Sequence, residues 1–210
     1  MSAEPIRMDR RHLRRQETIE QVLQHAVDVM AEQGVAGLSL SEVARRMGMR
    51  TPSLYGYFDS KHAVYDAVFA QGWTDLAREV SQSAGRIEDG LEALLLQSGT
   101  AFLRWHLEHP VHAQLMSWRP VPGYTPSEES YAVAVEFYRT GTELFAELKR
   151  KRLLRKGIAA DDALRAWTCL LSGVMTQQLA NAPDESFEQG RFTSAFPDLL
   201  QMYLRHHAAT

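Results

Sequence analysis

Apolar residues along the chain recur at helical spacing, and no convincing run alternates with a period of two. Ile19, Val22, Leu23, Ala26, Val27 and Met30 fall on one stripe of an amphipathic helix. Gly34 ends it in the manner of a left-handed C-terminal cap. Two short helices are predicted next, at about 40–47 and 52–58. Ser39 and Glu42 have the spacing of a capping box for the first, and Gly48 marks the turn between the two. Thr51-Pro52 opens the second: proline suits a first helical turn and pushes Thr51 toward a capping role.

Beyond residue 60 the predicted helices lengthen. Ser60 caps one carrying Phe69, Trp73, Leu76 and Val80, and Leu91, Leu94, Leu95, Phe102 and Trp105 mark another, interrupted by Pro110. Pro120, Pro122, Gly123 and Pro126 make 117–126 a loop. Thr125-Pro126-x-Glu128 reads as a second capping box. The helix it opens has two apolar faces, Tyr131, Val135, Tyr138 and Phe145 on one and Ala134, Phe137, Leu144 and Leu148 on the other. That pattern predicts a helix sandwiched inside a bundle. Leu164, Trp167, Leu171, Val174 and Gln178 define a further helix that Pro183 ends, and a last helical region near 186–207 carries Pro197. The expected fold class is all-α.

Composition adds limits. With 45% hydrophobic and 23% charged residues over 210 positions, the chain suits one or two soluble globular units. No apolar run reaches the roughly 18 residues a membrane span needs, so no membrane partner is expected. The single cysteine, Cys169, excludes an intrachain disulfide and fits a reducing cytoplasm; among its apolar neighbours it is expected to be buried. The net charge of −3 is unevenly spread: residues 1–16 carry five arginines, at 7, 10, 11, 14 and 15, against Glu4 and Asp9. A basic head on an acidic body fits contact with a polyanion at one end.

The span 37–61 carries the functional signal. Leu38, Leu40, Val43, Ala44, Met47 and Met49 can pack two short helices at a steep angle, with Leu54 and Phe58 anchoring the second from behind. Thr51, Pro52, Ser53, Tyr55, Gly56 and Tyr57 then face outward, with short polar, methyl-bearing and phenolic groups suited to base edges and phosphates. The pattern Gly34, Ser39, Val43-Ala44, Gly48, Leu54-Tyr55-Gly56-Tyr57-Phe58 and Ser60-Lys61 resembles the tetracycline-repressor (TetR) family of bacterial regulators over residues 18–69.

The resemblance implies an N-terminal three-helix helix-turn-helix domain and a C-terminal helical bundle for ligand binding and dimerisation. The expected divisions are a basic flexible arm over 1–16, a DNA-binding domain over 17–61 and an effector-binding and dimerisation domain over 62–210. It implies a homodimeric regulator on a palindromic double-stranded operator, foremost a repressor released by a small-molecule effector, with a ligand-dependent activator as the alternative. No cofactor or metal is expected. Thr51, Pro52 and Ser53 would meet bases, with Gly56 letting the backbone approach. Tyr55, Tyr57, Lys61 and Ser39 or Ser41 would hold phosphates. Arg50 departs from the usual Ser or Thr and is a candidate for phosphate or guanine.

Other candidates come from residue type alone. Trp73, Phe102, Trp105, Trp118, Tyr124, Tyr131, Tyr138 and Gln177 combine aromatic area with polar groups, as small-molecule pockets do. Trp167, Leu171, Val174, Leu199, Leu200 and Tyr203 are the expected dimer contacts. His106, His109 and His112 admit a rival reading as a metal-dependent all-α enzyme, set against a polar helix end or a pocket lining. The chain contains no Gly-x-Ser-x-Gly elbow, no His-Glu-x-x-His and no phosphate-cradling glycine loop. The basic run Lys149–Lys156 is read as a solvated helix end.

Overall fold

A computed structural model describes residues 10–209. Nine α-helices follow one another among the described residues: α1 (Arg10–Gln33), α2 (Leu40–Arg46), α3 (Thr51–Leu54), α4 (Lys61–Ser83), α5 (Leu91–Glu108), α6 (Pro110–Ser117), α7 (Glu128–Arg150), α8 (Ala160–Asn181) and α9 (Phe196–His207). The fold is all-α as expected, and an isolated antiparallel bridge, Leu154 to Ala208, ties the α7–α8 loop to the C-terminus. None of these helices is long and apolar enough to cross a membrane.

Two buried clusters hold the molecule together. The first gathers α1, α2, α3 and the N-terminal half of α4 around Val22, Val29, Val43, Leu54 and Val64. It continues without a break into Trp105, Val111, Leu115, Tyr124 and Ala134. The expected boundary after residue 61 is therefore the start of α4, not a gap in the core. The second cluster packs α5, α7, α8 and α9 around Leu95, Leu103, Phe145, Trp167, Phe196 and Leu200. Close approaches depend on missing side chains. A Cβ at Gly72 would lie 2.6 Å from Met116 Sδ of α6, and one at Gly99 would lie 2.5 Å from Phe196 Cζ of α9.

Several local expectations change. Residues 10–16 of the supposed flexible arm are the first turns of α1, while residues 1–9 lie outside the described residues. Helix α7 is capped by Ser127, whose hydroxyl accepts from the Ser130 N–H at 3.2 Å, so Thr125 is not its cap. Its sandwich is incomplete: Ala134 and Leu148 are buried on one face, and on the other Phe145 is buried whereas Tyr131, Val135 and Tyr138 are about half exposed. Cys169 is exposed, because it lies on the outer side of α8, away from the stripe formed by Trp167, Leu171 and Val174.

Gln178 occupies an apolar position of that stripe, fully buried. Its amide donates to the Ala182 carbonyl at 2.6 Å and its oxygen accepts from the Phe192 N–H at 2.9 Å, fixing the α8–α9 connection. A buried amide satisfied on both sides is stable where an unpaired one would not be.

Candidate nucleic-acid interface and internal cavity

Ser39 starts α2 from an extended backbone, its Oγ accepting the Glu42 N–H at 3.4 Å and lying 2.9 Å from Ser41 Oγ. The reciprocal half of the expected capping box is absent, because the Glu42 carboxylate is occupied by guanidinium groups. Arg45 binds it through two contacts of 2.7 Å and Arg46 at 2.9 Å, while Arg46 also reaches Glu32 on α1 at 2.6 Å. Hydrogen bonds from Arg45 and then Arg46 hold the Glu42 carboxyl down to about 2. The network fixes α2 against the end of α1, while the turn at Gly48, with φ of 65°, redirects the chain into α3.

Helix α3 is shorter than the predicted 52–58. After Leu54 the chain tightens into i to i+3 hydrogen bonds, Gly56 N–H to Ser53 O at 3.2 Å and Tyr57 N–H to Leu54 O at 2.9 Å. Arg50, not Thr51, is the extended capping residue, and it makes no side-chain cap. Leu54 and Phe58 point into the core. Arg50, Pro52, Ser53, Tyr55 and Gly56 are exposed, and Thr51 and Tyr57 half-buried, so these seven candidates share one short segment, while Ser39 and Ser41 stand at the start of α2 and Lys61 at the start of α4.

Lys61 is more committed than expected. Its ammonium donates to the Ala36 carbonyl at 3.1 Å and lies 5.6 Å from the Tyr65 ring centre. Arg15 was missed as a companion of the turn: its Nη1 donates to the Gly56 carbonyl at 3.0 Å, and its guanidinium lies 5.0 Å from the Tyr57 ring centre. Arg10, Arg11, Arg14, Arg15, Thr18 and Tyr57 line a cleft of about 670 Å³ beside the segment. The signal was the arginine run; what hid its placement was the reading of 1–16 as flexible.

In the body a cavity of about 490 Å³ lies between α4, α5, α7 and α8, extending to the C-terminal end of α6. Of the eight ligand candidates, Trp73, Phe102, Trp118 and Tyr138 line it. Trp105, Tyr124, Tyr131 and Gln177 do not. Trp105 stacks on His109 at 4.6 Å, and the Tyr124 hydroxyl donates to Asp66 at 2.9 Å. Tyr131 and Gln177 face outward. Thr168, Ser172 and Thr176 of α8 also line the wall. Their spacing of four, a hydroxyl stripe on an otherwise apolar helix, was the available signal.

His106 is another lining residue. It is 99% covered, its Nδ1 is 2.8 Å from the Phe102 carbonyl, and burial lowers its pKa to about 4. His109 Nδ1 makes the equivalent contact with the Trp105 carbonyl. Among the described residues no group of three His, Cys, Asp or Glu side chains is gathered as a metal site; the three histidines are packed around Trp105.

The expected dimer contacts divide differently. Trp167, Leu171, Val174, Leu200 and Tyr203 are buried in the protomer's own second core, and Trp167 and Leu171 also line the cavity. Each is already covered by its own chain, which corrects their assignment as partner-facing surface; only Leu199 is half-exposed. The outward face of α8 instead presents Cys169, Gly173 and Gln177, and that of α9 presents Met202 at 63% exposure.

Comparison with known proteins agrees with this arrangement. A family model described as bacterial regulatory proteins of the tetR family matches residues 22–68. The HTH-type transcriptional regulator Rv1816 of Mycobacterium tuberculosis is 28% identical over 107 residues, 50% of this chain and 46% of its own; the chain thus spans about half the length of that relative. The tetracycline repressor protein class D of Escherichia coli is 26% identical over 159 residues, 76% of this chain and 66% of that protein. Among solved structures, the TetR family transcriptional regulator PfmR of Thermus thermophilus has a TM-score of 0.68 at 16% identity, covering 88% of this chain and 97% of its own. A TetR variant from Acinetobacter baumannii AYE in complex with minocycline has a TM-score of 0.57 at 21% identity, covering 95% and 96%. At such identities the structures establish a shared fold.

Proposed function

Because the chain belongs to the tetR family of bacterial regulatory proteins, a family of transcriptional regulators and not of enzymes, we propose that it is a homodimeric repressor. It binds a palindromic operator and is released by a small molecule held in the body. The observation that carries the reading is the segment after Gly48. Leu54 and Phe58 are buried behind it, and Arg50, Pro52, Ser53, Tyr55 and Gly56 are left exposed at its front. Base readout needs such a face, and phosphate contact needs cations beside it, which Arg10, Arg14 and Arg15 supply.

Two-fold protein symmetry matches two-fold operator symmetry. Cys169 and Gly173 on α8, with Leu199 and Met202 on α9, offer the partner-facing surface. The cavity in the body offers the effector site, and its wall includes Trp73 of α4, the helix that begins at Lys61 beside the DNA-facing segment. An effector that favours one placement of α4 shifts the spacing of the two heads, to the extent that it binds one form better.

Selection of random duplex DNA by the purified protein tests the reading, with Tyr55→Ala alongside. A two-fold symmetric site is expected to be enriched by the native chain and at least tenfold less so by the variant. Failure to enrich any site at low salt, with or without candidate effectors, overturns the proposal.

A further inference from the structure

The cavity wall has a chemical character that selects among ligands. Its aromatic surface comes from Trp73, Phe102, Trp118, Phe137, Tyr138 and Trp167, and among the described residues no Asp, Glu, Lys or Arg lines it. An ionised ligand entering it would lose hydration without finding a counter-charge. Two polar groups stand out from the hydroxyls. His106 lines the cavity with Nδ1 already turned to the Phe102 carbonyl, so Nδ1 carries the proton and Nε2 is the atom left to accept a hydrogen bond. Trp73 is 92% covered, and its indole N–H is buried without a hydrogen-bond partner. A buried donor without an acceptor is costly, and a ligand oxygen can relieve it.

We propose that the effector is an uncharged, mainly aromatic molecule with a hydroxyl that donates to His106 Nε2 and an oxygen that accepts from the Trp73 indole. The inference rests on the effector reading of the cavity. Its volume, about 490 Å³, lies within the range of small-molecule sites. The hydroxyls of Ser98, Thr168 and Ser172 add secondary contacts. The α8 hydroxyls are spaced so that a flat ligand can lie along the helix.

Isosteric tricyclic probes test this through quenching of the tryptophans that line the cavity. 9-Phenanthrol, phenanthrene-9-carboxylate and 9-phenanthrylmethylammonium are compared at pH 6.5, with phenanthrene as the reference lacking a hydroxyl. The phenol is expected to bind at least tenfold more tightly than either ion and several-fold more tightly than phenanthrene. In His106→Phe the advantage of phenol over phenanthrene disappears while phenanthrene still binds, which shows that the cavity remains intact. 9-Fluorenone against fluorene reads the indole in the same way, with Trp73→Phe abolishing the preference for the ketone. Tighter binding of either ion, survival of either preference in its variant, or no binding of any tricycle overturns the proposal. DNA binding measured on the same samples separates the two readings. Intact DNA binding with the wrong ligand preference sinks the ligand class alone, whereas the expected preference without DNA binding at any sequence sinks the regulator.

Discussion

His106 and His112 are the residues whose chemistry burial alters most. Burial comes first in both cases, helped by the nearby His109, and it brings each imidazole down to about 4. In the unfolded chain the same groups titrate near the ordinary histidine value of about 6.5. Between those values the unfolded state binds more protons than the folded one, so stability is full above pH 6.5 and is lost as pH falls towards 4. Each contributes on the order of 3 kcal/mol across that window, at 1.4 kcal/mol per pKa unit. Thermal melts should fall steeply from pH 6.5 to 4.5, and the slope should be shallower in His106→Phe. Equal slopes in the two proteins would mean that His106 does not remain neutral in the fold. The metal reading of these residues was natural from their spacing alone. What the sequence did not contain was the direction of the rings: those of His106 and His109 are each set by a backbone carbonyl one turn earlier.

Among the elements, α7 shows how a capping pattern can be satisfied by the wrong residue. Thr125 has proline after it and glutamate three positions on, yet the Tyr124 hydroxyl and the Ser127 N–H both converge on Asp66 of α4. That tertiary anchor holds the loop so that Ser127, two residues later, caps the helix. Ser127→Ala should cost about 1 kcal/mol in denaturant unfolding, within the usual range for a lost N-cap, and Thr125→Ala much less. The reverse order would restore Thr125 as the cap. The start of α2 was legible because Ser39 has its partner, Glu42, within its own first turn. The length of α3 was not: Leu54 and Phe58 are four apart as in a helix, but the chain bends between them through tighter turns to bury both.

For the whole molecule, the half-exposed Tyr131, Val135 and Tyr138 of α7 and the exposed Cys169, Gly173 and Met202 leave apolar surface on the exterior, part of which the proposed homodimer would cover. A Cβ at Gly173 would meet nothing within 4 Å, so a longer side chain there leaves the protomer intact and, in the proposed homodimer, obstructs the partner. Gly173→Glu should therefore keep its helical content and melt while shifting to monomer in light scattering, with at least a tenfold loss of operator affinity. A variant that stays dimeric would move the interface elsewhere on the molecule. Helix α4 bears on the same scale: it begins beside the exposed segment at 50–57 and carries Trp73 into the cavity wall. Gly72, one residue before, allows Met116 and His112 of α6 to pack against it.

The sequence by itself determined the helical class, the short paired helices after Gly34, and the outward residues of the segment from Arg50 to Tyr57. All of these depend on spacing and turn chemistry within a few residues, where the backbone leaves few choices. Four of the eight cavity candidates were legible as aromatic residues. Tertiary structure decided the rest, because an apolar side chain at helical spacing is the same signal whether it meets its own core, a ligand or a partner. Trp167 and Leu171 are the instance: expected at a dimer surface, they were drawn into the second core and the cavity wall by the rotation of α8 against α5 and α9. That rotation left Cys169 and Gly173 outside. No residue within α8 specifies it, since it is fixed by the helices that compete to cover its faces.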